Sequence, residues 1–125
     1  MMKKKILIIE DDSVYSKLLT DILSEEYDVI AAVDGIQGIK SGKVQKPDLI
    51  IIDLFLPRMH GEDVIRKLRD DEFFRTIPIV AISGTFSRTV SGEKFEDINA
   101  DAVFSKPLEI TRFEECIHKL LFPAV

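Results

Sequence analysis

The stretch LIIIDLFLP, Leu49–Pro57, is the clearest indication of the fold of this chain. Four consecutive apolar residues lead directly into a carboxylate, Asp53, and three more apolar residues and a proline follow. A short continuous apolar run is typical of a parallel strand that is covered on both faces. An ionised carboxylate in an apolar interior costs on the order of several kcal/mol unless it is paired or bound to a metal. We therefore expect Asp53 just past the buried run, at the edge of a sheet.

Similar apolar runs recur along the chain, at residues 6–9, 29–33, 49–52, 79–82 and 102–104. Segments with helical spacing of apolar residues alternate with them. Their stripes are Val14, Leu18, Leu19, Ile22 and Leu23; Ile36, Ile39 and Val44; Val64, Ile65 and Leu68; Val90, Phe95 and Ile98; and Phe113, Ile117, Leu120 and Leu121. Thr111 and Glu114 are spaced as a capping box for the last helix. The alternation predicts one α/β domain over residues 1–125, a doubly wound five-stranded parallel sheet with helices on both faces and (βα)5 flavodoxin-like topology.

Composition narrows the class of protein. The 125 residues are 46% hydrophobic, which suffices for a core, and the net charge of -5 argues against a nucleic-acid-binding surface. No apolar run approaches the length of about 18 residues that a membrane span needs. The single cysteine, Cys116, favours a reducing compartment and is predicted to be a core thiol rather than a nucleophile. We expect a soluble cytoplasmic protein.

Polar residues follow four of the five apolar runs, where ligands bind in a parallel sheet. They are Glu10, Asp11 and Asp12; Asp53; Ser83, Gly84 and Thr85; and Ser105, Lys106 and Pro107. After the second run, Asp34 is predicted to cap the next helix.

Each of these groups also has an ordinary structural interpretation. Asp12 or Ser13 can cap the first helix, Ser83 can be a turn residue, and Lys106 can be an exposed surface lysine. Several carboxylates crowded near Asp53 repel one another, and Mg²⁺, which prefers oxygen ligands, would relieve that repulsion. Pro107 restricts the backbone of Lys106, so this ammonium group could also offset the carboxylates.

The motifs Glu10-Asp11-Asp12, Asp53 to Gly61, Ser83-Gly84 and Lys106-Pro107 occur in order on this α/β pattern. With them the chain resembles the CheY-like receiver domain of bacterial two-component response regulators, over nearly its whole length. The resemblance implies that Asp53 is the phosphoacceptor and that the carboxylates of Asp11 and Asp12 bind Mg²⁺ with Asp53, Glu10 being a flanking acid. The backbone carbonyl of Phe55 would be a further ligand.

The same resemblance assigns roles around the phosphoryl group. Lys106 and Ser83 would contact it, and Ser83 and Phe104 would form the switch. Phe55 and Thr85 would tune the access of water to it, and we expect the bulky apolar Phe55 to slow hydrolysis.

The resemblance also implies partners: a sensor histidine kinase or phosphotransfer protein as donor, and a downstream protein target. We expect a phosphoacceptor rather than an enzyme, monomeric or weakly dimeric, either standing alone or cut from a longer chain. A degenerate receiver that only docks partners is the alternative. A haloacid-dehalogenase-type phosphatase would need an acid at Phe55, and a flavodoxin-like flavin binder would need a phosphate loop where Glu10-Asp11-Asp12 stands.

Overall fold

The strands and helices of the chain alternate along a single sheet. The computed structural model describes residues 2–84 and 98–124. Five parallel strands lie in the order β2-β1-β3-β4-β5, which confirms the predicted sheet. The strands are β1 (Lys5–Ile9), β2 (Asp28–Ala32), β3 (Leu49–Asp53), β4 (Ile79–Ser83) and β5 (Ala102–Ser105), and the helices are α1 (Ser13–Leu23), α2 (Gly35–Gln45), α3 (Gly61–Asp70) and α4 (Ile110–Leu121). The helix predicted from Val90, Phe95 and Ile98 falls, except for Ile98, on residues 85–97, which lie outside the described part of the chain.

Side chains alternate along the central strands and divide the core into two clusters. Ile6 and Ile8 of β1 face α1 and α4, where Phe113 is fully buried. Leu7 and Ile9 face the opposite side, which α2 and α3 cover with Leu68 and the loop residue Phe74. Helices on both faces explain why the strand sequences are continuously apolar.

Some of the apolar residues that were predicted to line the buried faces of the helices are exposed. In α1 the residues that are buried are Leu19 and Leu23, whereas Val14 and Leu18 are exposed, so the predicted stripe was wrong at these two positions. In α2 the predicted Ile36 and Val44 are likewise exposed. The buried residues of α2 are Gly35, Gly38 and Gly42. A Cβ at Gly38 would lie 2.4 Å from Cδ1 of Ile9, so glycine lets this helix approach the sheet closely.

Two helix N-termini differ in how well the sequence predicted them. Asp34 caps α2 as expected, its Oδ1 accepting from the Gln37 N–H at 2.8 Å. The capping box of Thr111 and Glu114 was wrong. Helix α4 begins at Ile110, and the carboxylate of Glu109 accepts from the Arg112 N–H at 2.9 Å. An acceptor at Glu109 already satisfies the first turn, so the helix starts before Thr111.

Cys116 is half-buried on α4 rather than fully in the core, and burial raises the pKa of its thiol. The thiol is therefore mostly protonated at neutral pH and is a poor nucleophile. Among the described residues, no helix has the length and apolar character needed to cross a membrane.

Gly61 makes the closest backbone contact between α3 and the end of β3. Its N–H donates to the Leu54 carbonyl at 3.0 Å, and an added Cβ would lie 2.5 Å from both the Asp53 carbonyl oxygen and the Leu54 Cα. We expect Gly61→Ala to lower the free energy of unfolding by about 1–3 kcal/mol, because backbone atoms cannot move aside as a flexible side chain can. Urea denaturation measures the loss. Gly84→Ala is the matched control, since no atom of the described residues lies within 4 Å of the corresponding Cβ; equal effects of the two substitutions would contradict this interpretation.

Candidate functional site

The register of the sheet brings the ends of four strands together. Ile9 pairs with Ile52, Asp53 pairs with Ile82, and Ser83 pairs with Ser105. The residues that end these strands or directly follow them therefore share one edge. Asp53 itself is the last residue of β3 and is only 5% exposed, so it lies in the strand rather than past it. Its buried position requires a compensating partner.

Lys106 supplies that partner from the loop after β5. Its ammonium Nζ donates to Asp53 Oδ2 at 2.7 Å and to Glu10 Oε1 at 2.9 Å. The Lys106 N–H donates to the Ser83 carbonyl at 2.9 Å, which holds the backbone of Lys106 against β4, and the Lys106–Pro107 peptide bond is cis. Lys106 is therefore half-buried and joins three strands. It is not the exposed surface lysine that the alternative interpretation of the sequence allowed.

Ionisation at this edge is strongly perturbed. Burial, together with the hydrogen bond and charge of Asp53, raises the pKa of Glu10 to about 7, although Lys106 opposes the rise. Burial lowers the pKa of Lys106, but the hydrogen bonds and charges of Asp53 and Glu10 outweigh it and raise that pKa above its ordinary value. Lys106 is thus cationic at neutral pH, while Glu10 is partly protonated in the metal-free protein.

Three carboxylates are arranged to hold a divalent cation. Glu10, Asp11 and Asp53 each offer an oxygen, and these oxygens lie within 4.8 Å of one another. Asp11 is exposed, so a metal can reach the cluster from solvent. An all-oxygen set with an open side fits Mg²⁺, which keeps several waters and takes few carboxylates.

Asp12 is not one of these three carboxylates. It is the N-cap of α1, where its Oδ1 accepts from the N–H groups of Val14 at 2.9 Å and Tyr15 at 3.4 Å. The acidic pair that the structure places near Asp53 is therefore Glu10 with Asp11, and the predicted binding of Mg²⁺ by Asp11 with Asp12 stays a prediction. The physical reason is the turn between β1 and α1, which points successive carboxylates in different directions. The capping interpretation of Asp12 holds.

The loop after β3 begins at Leu54 and carries Phe55. The Asp53 Oδ1 accepts from the Phe55 N–H at 2.7 Å, which leaves Oδ2 to Lys106. Phe55 is 41% exposed beside the carboxylate. The metal-ligand role of the Phe55 carbonyl stays a prediction.

The remaining predicted residues are placed as follows. Ser83 is fully buried at the end of β4, next to the cluster of charges. Phe104 is half-buried on β5 and packs edge-to-face on Phe113, with ring centroids 5.5 Å apart. Thr85 lies outside the described residues, so its role stays a prediction.

Sequence reasoning did not include Tyr15 in the site. The Lys106 Nζ lies over the Tyr15 ring, 4.2 Å from its centroid. A signal was present, because Tyr15 lies in the first turn of α1, directly after the Glu10-Asp11-Asp12 motif. Glu10 was also underrated as a flanking acid, although it is the first residue after the apolar run of β1.

Comparisons with known proteins agree with this geometry. A family model described as the response regulator receiver domain matches residues 6–118. The polar-differentiation response regulator DivK of Brucella anthropi is 31% identical over 121 residues, which cover 96% of this chain and 98% of DivK. A solved structure of the receiver domain of the sensor histidine kinase PA1611 of Pseudomonas aeruginosa is 25% identical, with a TM-score of 0.86. The match covers 95% of this chain and 98% of that chain. That structure has a magnesium ion coordinated in its active site cleft.

A more distant solved structure supports the fold alone. The chemotaxis response regulator CheY4 of Vibrio cholerae is 20% identical, with a TM-score of 0.85 over 96% of this chain and 100% of that one. The family match covers far more than half of the chain, and its motifs meet at the site described above. This chain therefore belongs to the response regulator receiver domain family of two-component signalling.

Proposed function

We propose that Asp53 accepts a phosphoryl group from a phosphohistidine of a sensor histidine kinase or phosphotransfer protein. The observation that carries the proposal is the Lys106 ammonium 2.7 Å from Asp53 Oδ2, next to three carboxylate oxygens that can share a cation. This is the arrangement that phosphoryl transfer needs, since catalysis there is mostly positioning and charge stabilisation.

In the transfer, a carboxylate oxygen of Asp53 bonds to phosphorus as the phosphorus–nitrogen bond breaks, and the bonding electron pair stays on the imidazole. The product is an aspartyl phosphate. Lys106 donates to the developing charge on the phosphoryl oxygens. Glu10, Asp11 and Asp53 would hold Mg²⁺, with the Phe55 carbonyl as a further ligand, and the metal would supply additional positive charge for those oxygens. A magnesium ion in the cleft of the related PA1611 receiver domain supports this metal.

Phosphorylation of Asp53 would shift the equilibrium between two conformations of a protein-interaction surface. The phosphoryl group brings new negative charge to a site where Ser83 is buried and Lys106 is already engaged. Ser83 would turn toward the new oxygens, and Phe104, which packs on Phe113 of α4, would carry the change to that helix. A downstream protein that prefers the phosphorylated surface would then bind more tightly. The chain acts in the cytoplasm as a phosphoacceptor that assists its own phosphorylation and dephosphorylation, not as an enzyme on a separate substrate.

Incubation with acetyl phosphate and Mg²⁺ tests the proposal directly. We expect intact mass spectrometry to show the gain of one phosphoryl group, and Asp53→Ala to abolish the gain. Asp21→Ala is the control, because Asp21 is an exposed carboxylate in a helical ion pair with Lys17. If the wild-type protein gains nothing from acetyl phosphate or from a phosphorylated histidine donor, the proposal fails and the chain is a docking module.

Replacing neighbouring aspartates separates the metal ligand from the helix cap. We expect Asp11→Ala to weaken Mg²⁺ binding by at least about tenfold, because even outer contacts of a metal site are worth that much. Asp12→Ala should instead cost about 1 kcal/mol of stability through loss of the α1 cap, with little change in Mg²⁺ affinity. Magnesium titration followed by NMR, and urea denaturation, measure the two effects. A larger loss of affinity in Asp12→Ala than in Asp11→Ala would restore the pairing expected from the sequence.

The exposed ring of Phe55 is expected to slow hydrolysis of the aspartyl phosphate. An apolar ring beside the phosphoryl group hinders the attacking water, whereas an amide can orient it. Phe55→Asn should therefore shorten the half-life of the phosphorylated protein by several-fold, as measured by the decay of the phosphorylated mass after removal of the donor. Phe73→Asn is the control, since Phe73 is similarly exposed but lies in the loop between α3 and β4. An unchanged half-life in Phe55→Asn would show that the ring does not limit access.

A further inference from the structure

The Lys106 ammonium needs a contact that survives the reaction. Its two carboxylate partners, Glu10 and Asp53, are also the groups that a metal and a phosphoryl group would engage. A bound metal would draw negative charge away from Lys106, and phosphorylation would replace its contact with Asp53 by one with the phosphoryl oxygens. An ammonium held only by these carboxylates would be free to turn away at the moment when it is needed.

Tyr15 provides a contact of a different kind. The Lys106 Nζ lies over the Tyr15 ring, 4.2 Å from its centroid, where the face of the ring attracts a cation. The ring is neither a metal ligand nor an acceptor for a phosphoryl group. Lys106 thus has two kinds of contact. Those with the carboxylates would change during the reaction, whereas the contact with the face of the Tyr15 ring would persist.

The position of Tyr15 is itself fixed from two directions. On the side of α1, the Asp12 carboxylate accepts from the Tyr15 N–H at 3.4 Å and so holds the first turn of the helix. On the other side, the ring packs on the same core cluster as Leu108, which follows Lys106-Pro107. Burial raises the pKa of the Tyr15 hydroxyl, and the nearby Leu108 backbone partly offsets that rise. Tyr15 therefore joins the start of α1 to the loop that carries Lys106.

We propose that Tyr15 is a positioning residue for phosphoryl transfer, whose ring keeps the Lys106 ammonium directed at Asp53 while the carboxylates change partners. This role rests on the proposed phosphoacceptor function of Asp53. In this role the Asp12 cap would also matter for phosphoryl transfer, because it orients the helical turn from which the Tyr15 ring extends. The ring, not the hydroxyl, carries the effect.

Two substitutions separate the ring from the hydroxyl. Tyr15→Phe keeps the aromatic face, and Tyr15→Leu keeps only apolar volume, with Tyr15→Met as a second non-aromatic variant if Tyr15→Leu does not fold. At saturating Mg²⁺, we expect the non-aromatic variants to take up a phosphoryl group from acetyl phosphate about five- to tenfold more slowly than wild type. The reason is the loss of one partly desolvated cation–π contact. Tyr15→Phe should stay within about twofold of wild type. Val14→Ala, at the exposed neighbouring position of α1, is the control and should behave as wild type.

A second measurement needs neither metal nor phosphodonor. Protons of the Lys106 ε-methylene group lie near the ring and should show an upfield ring-current shift by NMR in wild type and Tyr15→Phe. That shift should disappear in the non-aromatic variants. An unchanged Lys106 shift in those variants, an unchanged rate in them, or a Tyr15→Phe variant as slow as Tyr15→Leu would each overturn the positioning role. Failure of the proposed function is distinct: wild type would gain no phosphoryl group, while the NMR shift would still report whether the ring holds Lys106.

Discussion

Two carboxylates, Glu10 and Asp53, are buried side by side at the ends of neighbouring strands, and one ammonium group, that of Lys106, lies between them. Like charges at this distance, out of water, repel strongly, and the Lys106 ammonium offsets that repulsion. The three groups come from the residue after β1, from the end of β3 and from the loop after β5, so the charges balance only when these strands are in register. Removing one partner from such a buried set typically costs about 3–5 kcal/mol. The charge balance therefore couples the integrity of the sheet to the integrity of the site.

The acidic motif after β1 places three consecutive carboxylates in three environments. Glu10 is buried against Lys106, Asp11 is exposed beside the carboxylate cluster, and Asp12 caps α1. The divergence follows from the tight change of direction between a strand and a helix, because successive side chains leave such a turn on different sides. One short motif thus contributes to charge balance, to a candidate metal site and to helix initiation, and the last of these sets the position of Tyr15.

The site and the helical layer are linked by short, rigid connections. Gly61 touches the backbone of Asp53, so the start of α3 cannot move without the end of β3. On the other side, Phe104 precedes Lys106 by two residues on β5 and packs on Phe113, which is buried in α4. A change in the contacts of Lys106 therefore has a direct route to α4 through one strand and one pair of rings.

Local patterns in the sequence were enough to predict the sheet, the helices α1 to α4 and the edge where Asp53, Ser83 and Lys106 meet. They were enough because continuous apolar runs and turn residues are local signals, and parallel topology places strand ends together. The positions of Glu10 rather than Asp12 beside Asp53, and of the Tyr15 ring against Lys106, could be read only from the packed structure. These outcomes depend on the angle at which a chain leaves a strand and on the rotation of a helix about its axis. Both are set by packing between residues far apart in the sequence, which no local pattern encodes.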